Sequence, residues 1–120
     1  MSKIVVVDDV YAELQLIEGI LKSANHTVVT YMNADKLEEK LAAEKPDLIL
    51  MDVIMPGRNG FQACRDLKND ERFKTIPIVL VTSKGQESDK FWGQQQGATA
   101  YVVKPFKPED LLAAVKKVLG

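Results

Sequence analysis

The chain has 120 residues, 46% hydrophobic and 28% charged, with a formal net charge of −1 at pH 7. That length holds one core without room for a second folded unit, and so near-neutral a chain has no general pull toward nucleic acid or an anionic membrane. The single cysteine, Cys64, excludes an internal disulfide and a cysteine-rich metal site.

The opening stretch "KIVVVDDV" holds an apolar run, Ile4–Val7, that ends in Asp8 and Asp9. It has none of the marks of a signal peptide, so a cytoplasmic location is expected. Adjacent like charges repel, and burial strengthens the repulsion. The pair therefore either caps a helix in solvent or faces something positive. Leu14, Ile17 and Leu21 then recur at helical spacing. Asn25 stands where a left-handed C-cap belongs.

A second apolar run spans Thr27–Tyr31, with the only histidine, His26, just before it. His26 is expected at the surface. Asn33 suits the N-cap of a second helix carrying Leu37 and Leu41. Pro46 separates that helix from the third run, Leu48–Met51, which closes on Asp52 in "LILMDVIMPGRNG". Phe61, Cys64 and Leu67 mark a third helix, in which Cys64 is expected to pack. The fourth run, Ile78–Val81, leads into Thr82 and Ser83. Phe91 and Trp92 fall on a fourth helix, one expected to pack and the other to be exposed. Tyr101–Val103 is the fifth run, followed by Lys104-Pro105-Phe106. Pro108 suits the first turn of a last helix with Leu111, Val115 and Val118 on one face, although Lys107 is a poor N-cap by type.

Continuous apolar runs, except for the second, indicate strands buried on both faces. Alternation with amphipathic segments gives an α/β domain of (βα)₅ type, three layers deep. Charge is uneven along it. Residues 1–60 carry six Lys/Arg against ten Asp/Glu, and residues 61–120 carry ten against seven.

Ligands of open α/β sheets bind beyond the carboxyl ends of the strands. Three carboxylates (Asp8, Asp9, Asp52), the Thr82 hydroxyl and the Lys104 ammonium fall there, from four strands. Taken singly, each has a bland reading: Asp8 and Asp9 as helix caps, Asp52 as a turn residue, Lys104 as a solvated cation. Together they form a set that a hard divalent cation with oxygen ligands would balance, and Mg²⁺ suits few carboxylates plus waters plus a phosphate. An aspartate among them would be the nucleophile of an aspartyl phosphate.

"VVDD", "LILMDVIMPGRNG", "VLVTS" and "AYVVKPF", in that order and spacing, resemble the response-regulator receiver domain of two-component signalling. The resemblance covers the whole chain and is greatest to stand-alone receivers such as the chemotaxis response regulator. It implies a flavodoxin-like parallel sheet in the order 2-1-3-4-5. It implies that Asp52 is the phosphoacceptor and that Asp8, Asp9, Asp52 and the Ile54 carbonyl hold Mg²⁺, with Mn²⁺ as an alternative. By the same resemblance Thr82 is the switch hydroxyl, Tyr101 the switch aromatic and Lys104 the phosphoryl-binding lysine, with a cis Lys104–Pro105 bond. Trp92 becomes a candidate interface residue near the face of the fourth helix, fifth strand and fifth helix. The expected partners are a histidine kinase or phosphotransfer protein and an unidentified downstream protein, with no nucleic acid or membrane. The domain is expected to span residues 1–120 as a monomer without an output domain, a signalling switch and not an enzyme acting on a metabolite. Ile54 and Lys84, each two residues past a site residue, offer no water-positioning amide or carboxylate, so fast self-dephosphorylation is not expected.

Three rivals fit less well. An aspartyl phosphatase usually carries a second acid two residues on, where Ile54 stands. A flavin module needs a glycine- or hydroxyl-rich loop after the first strand, and "DDVYAEL" would repel a phosphate. A degenerate receiver kept as a binding module would have lost some of the chemical residues, and all are present.

Overall fold

The computed structural model describes residues 1–120. In chain order it has β1 (Lys3–Val7), α1 (Tyr11–Ser23), β2 (Thr27–Tyr31), α2 (Leu37–Glu44) and β3 (Leu48–Met51). There follow α3 (Gly60–Lys68), β4 (Ile78–Thr82), α4 (Glu87–Gln95), β5 (Ala100–Val103) and α5 (Pro108–Leu119). The strands form one parallel sheet in the order β2-β1-β3-β4-β5, a flavodoxin-like fold.

Side chains alternate along each strand, so the register assigns every strand residue to one of two cores. Ile4, Val6, Leu48, Leu50, Val79, Val81 and Val102 pack with Leu14, Ile17 and Leu21 of α1 and Leu111 and Val115 of α5. Val5, Val7, Ile49, Met51, Ile78 and Leu80 pack with Leu37 and Leu41 of α2 and Ala63, Cys64 and Leu67 of α3. The central strands are apolar on both faces because both faces are covered. Each fully buried Leu or Ile contributes about 2 kcal/mol relative to exposure.

The same alternation, continued past the strand ends, positions the rim. Asp8, Asp52 and Lys104 share parity with Val6, Leu50 and Val102, so they turn toward the α1/α5 side. Thr82 and Tyr101 share parity with Leu80 and turn the other way, toward α4.

Local signals act largely as the sequence suggests. Asn25 has φ 69°, and its N–H donates to the Lys22 carbonyl to close α1. Pro108 opens α5, and Lys107 caps it without a side-chain bond. Two expectations fail. Asn33 does not cap α2; its side chain accepts from the Asp35 N–H in a tight turn, and the helix starts at Leu37 after Lys36 in a left-handed conformation. Neither Phe91 nor Trp92 packs, since both are about half exposed or more, at 60% and 49%. α4 lies against the sheet through Gly93, which puts both aromatics off the contact face.

Candidate functional site

β1 ends at Val7, and the Asp8 N–H continues the ladder to the Tyr31 carbonyl. The Asp52 N–H likewise donates to the Val7 carbonyl, and the Lys104 N–H to the Thr82 carbonyl. The three side chains are thus fixed by sheet hydrogen bonds, one step beyond the last apolar residue. They converge. Lys104 Nζ lies 2.7 Å from Asp8 Oδ2, 3.3 Å from Asp52 Oδ2 and 2.8 Å from Glu13 Oε2 on α1. Asp8 is 1% exposed and the Lys104 side chain 9%. Buried charges at this spacing must be paired, and these are.

The two oxygens of Asp52 have different surroundings. Oδ1 accepts from the N–H groups of Val53 at 2.7 Å and Ile54 at 3.3 Å, while Oδ2 has only the 3.3 Å contact to Lys104. Burial pushes the Asp8 carboxyl above the ordinary carboxylate range, against the hydrogen bonds from Lys104 and the Val10 N–H. Burial pulls the Lys104 ammonium down, but hydrogen bonds to Asp8 and Glu13 and the charges of Asp52 and Asp8 outweigh it and raise it overall. The lysine stays charged throughout the physiological range.

Asp9 sits beside this cluster with Oδ1 buried and without a hydrogen-bond partner. An orphaned carboxylate oxygen is costly unless something positive arrives. Oxygen atoms of Asp8, Glu13 and Asp52 lie within 4.8 Å of one another, an acidic pocket compatible with a divalent metal. The residues present fit such an ion.

The loop that follows Asp52 is braced from three directions. Arg58 makes a two-pronged pair with Glu38 of α2 at 2.7 and 2.6 Å, reaches Asp66 of α3 at 2.9 Å, and donates to the Ala34 carbonyl at 3.2 Å. The hydrogen bond from Arg58 holds the Glu38 carboxyl below its usual range. Asn59 caps α3 reciprocally with Gln62. Gly60 lies directly against the Asp52 carbonyl; a Cβ there would also meet Val53 Cα at 2.8 Å. Asp9, Asn33, Lys36 and Arg58 border an open cleft of about 900 Å³ beside the carboxylates.

On the α4 side, Thr82 is fully buried, and its Oγ1 accepts from the Lys84 N–H at a long 3.4 Å. The Tyr101 hydroxyl donates to the Lys84 carbonyl at 2.7 Å, with its ring beside Gly93. Burial, helped by Asp89 and Asp52, pushes that hydroxyl up to about 12. The Lys84 ammonium turns to Asp89 at 3.6 Å. The Ile54 side chain is exposed. The Lys104–Pro105 bond is cis.

Trp92 lies apart from the carboxylates, in a shallow cleft with Arg65, Lys68 and Asn69. His26 is at the opposite end of the sheet, where Nδ1 accepts from the Ser2 N–H. Cys64 is fully buried with its thiol pushed up to about 11 by burial, so it packs and does not react. Glu13 and Arg58 were not visible as site residues from the strand-end pattern. Glu13 stands in the first turn of α1, five residues past Asp8, and belongs to no strand end.

A doubly wound sheet with an acidic pocket and a lysine at its carboxyl edge defines an α/β domain whose binding site lies at the strand ends. Residues 4–116 match the sequence model of the response regulator receiver domain, and the chain belongs to that family. It is 42% identical over 120 residues to Protein PilH of Pseudomonas aeruginosa, covering 100% of this chain and 99% of that protein. The BeF3-activated receiver domain of Klebsiella pneumoniae RstA superposes with a TM-score of 0.91 at 37% identity, covering 98% of this chain and 97% of that one. The receiver domain of a Pseudomonas aeruginosa sensor histidine kinase, with a magnesium ion coordinated in its active site cleft, gives 0.90 at 26% identity, covering 99% and 98%. Receiver domains are phosphorylation-dependent signalling switches that accept phosphate from histidine kinases. No helix of this chain is long and apolar enough to cross a membrane.

Proposed function

We propose that Asp52 is the phosphoacceptor of this receiver and that Oδ2 is the attacking oxygen. The observation that carries this reading is the asymmetry of Asp52: backbone N–H groups fix Oδ1, while Oδ2 has one long contact to a permanently charged lysine. A phosphohistidine on a kinase or phosphotransfer protein is the donor. Oδ2 forms the new O–P bond as the N–P bond breaks, and its electron pair returns to the imidazole nitrogen. Lys104 follows the charge onto the phosphoryl oxygens. Later, water attacks phosphorus, inorganic phosphate leaves and the carboxylate is restored.

Asp8, Asp9 and Asp52, with the Ile54 carbonyl, would hold Mg²⁺, with Mn²⁺ as the alternative. Bound there, the ion supplies charge neutralisation for the transferring group. The unpartnered Asp9 oxygen supports this set.

The phosphoryl group brings new acceptor oxygens. Thr82, loosely held at 3.4 Å, is drawn to them. Tyr101 is already hydrogen-bonded to Lys84, so its ring needs no further inward turn, and the phosphoryl group favours a state this ring already occupies. The α4–β5–α5 face then changes affinity for a downstream protein; Trp92 borders Arg65 and Lys68 of α3, so it is a contact for a partner that extends past that face onto the α3–α4 cleft. Neither Ile54 nor Lys84 presents a water-positioning group, so the adduct decays slowly. The reading is of a cytoplasmic monomer.

The test is intact mass after incubation with a small phosphodonor, with and without Mg²⁺, for the wild type and Asp52→Asn. One Mg²⁺-dependent phosphoryl adduct, absent in Asp52→Asn, is the expected result. No adduct under metal-binding conditions overturns the reading in favour of a binding module, and a half-life of seconds overturns the slow decay.

A further inference from the structure

We propose that Glu13 is a positioning residue for the phosphoryl site: it competes with a phosphoryl group on Asp52 for the Lys104 ammonium. This rests on Asp52 being the phosphoacceptor. An ammonium has three N–H donors. Lys104 has three carboxylate partners, at 2.7 Å (Asp8), 2.8 Å (Glu13) and 3.3 Å (Asp52), so no donor is spare. A phosphoryl group bonded at Asp52 Oδ2 puts its terminal oxygens one bond farther out. To reach one, the ammonium must move off its present position and loosen one of its two short contacts.

The two short contacts are not equivalent. Asp8 is locked by sheet hydrogen bonds and is 1% exposed, so breaking its pair strands a buried charge. The Glu13 side chain is 41% exposed and has water as an alternative partner. Glu13 is therefore the contact that yields, and its strength sets how readily Lys104 turns to the phosphoryl group. This is not an ordinary surface ion pair, because its lysine end is 9% exposed. Packing fixes the geometry. Leu14 and Ile17 anchor α1 to the sheet, and Glu13, Leu16 and Ile17 face Lys104, Pro105 and Phe106 across a cavity of about 110 Å³. Besides the contact, Glu13 adds a negative charge opposed to an incoming anion.

The test measures the affinity of beryllofluoride, a phosphoryl-shaped ligand, by ¹⁹F NMR at saturating Mg²⁺. The wild type is compared with Glu13→Gln, Glu13→Asp and Asp52→Asn. Glu13→Gln removes the charge at constant length; Glu13→Asp keeps the charge and removes the reach. The expected result is tighter binding in both, roughly threefold for Glu13→Gln and less for Glu13→Asp. A role confined to folding would shift melting temperature and leave affinity alone. Unchanged or weaker binding in both variants overturns the proposal, and tightening in Glu13→Gln alone reduces it to a charge effect and overturns the contact. Wild type that binds no better than Asp52→Asn overturns the phosphoacceptor reading itself, and this inference with it.

Discussion

α1 and α4 flank the same sheet and border the same rim, yet they are held by different means. α1 buries Leu14, Ile17, Ile20 and Leu21, and its Glu13 joins the buried Lys104 cluster. α4 buries Gly93 alone, and its link to the rim is a 3.6 Å ion pair from Asp89 to Lys84, whose carbonyl accepts from the Tyr101 hydroxyl. The rim residues divide in the same way. Asp8, Asp52 and Lys104 form a short-range charge lattice on the α1 side, while Thr82 keeps one long contact on the α4 side. A signalling domain needs one part that does chemistry in fixed geometry and another that moves at little cost. The parity of the strand ends separates a tightly paired side from a loosely held one, the division the proposed phosphoacceptor and switch roles call for.

Breaking the charge lattice should have the largest effect. Lys104→Met leaves buried carboxylates without their cation and should cost about 3 kcal/mol in metal-free urea denaturation, with Mg²⁺ restoring part of it. A loss under about 1 kcal/mol would mean that packing alone fixes the α1 side. The packing contrast comes next: Leu14→Ala should cost about 2.5 kcal/mol, and Trp92→Ala less than about 0.5 kcal/mol, by the same denaturation. Equal losses would remove the distinction between the helices.

Tyr101→Phe removes one hydrogen bond and should cost about 1 kcal/mol, seen as faster amide exchange in α4. The mass adduct on Asp52 should be unaffected, because Tyr101 makes no contact with the Asp8, Asp52 and Lys104 lattice. The smallest effect belongs to Glu38. Its folded pKa is lowered by Arg58, so its stabilisation is present above the unfolded value near 4.5 and is lost as pH falls through the folded one. Below that point, exchange should quicken at the start of α2, and Arg58→Ala should abolish the acid dependence.

The sequence showed the sheet well because buried parallel strands need uninterrupted apolar runs, and four of the five had them. Asp8, Asp52, Thr82 and Lys104 were legible at the rim for the same reason: each stands at the end of such a run. Glu13 escaped because it sits within a helix, where an acidic residue in the first turn is ordinary. Its role depends on α1 lying beside the β5–α5 loop, which is a matter of tertiary packing. Asn33 misled because asparagine serves a turn and a helix cap equally well by type, and the turn won. Phe91 and Trp92 misled because a glycine, Gly93, makes the contact expected of an aromatic.

Gly60 has no side chain to bond with, yet a Cβ there would meet the backbone of Asp52 and Val53, with no room for a methyl group. In a survey of every single substitution, that position should tolerate change as poorly as Asp52 itself. A selection for signalling would therefore score a residue without chemistry as indispensable, and only a folding assay run in parallel would tell the seat of Asp52 from Asp52 itself.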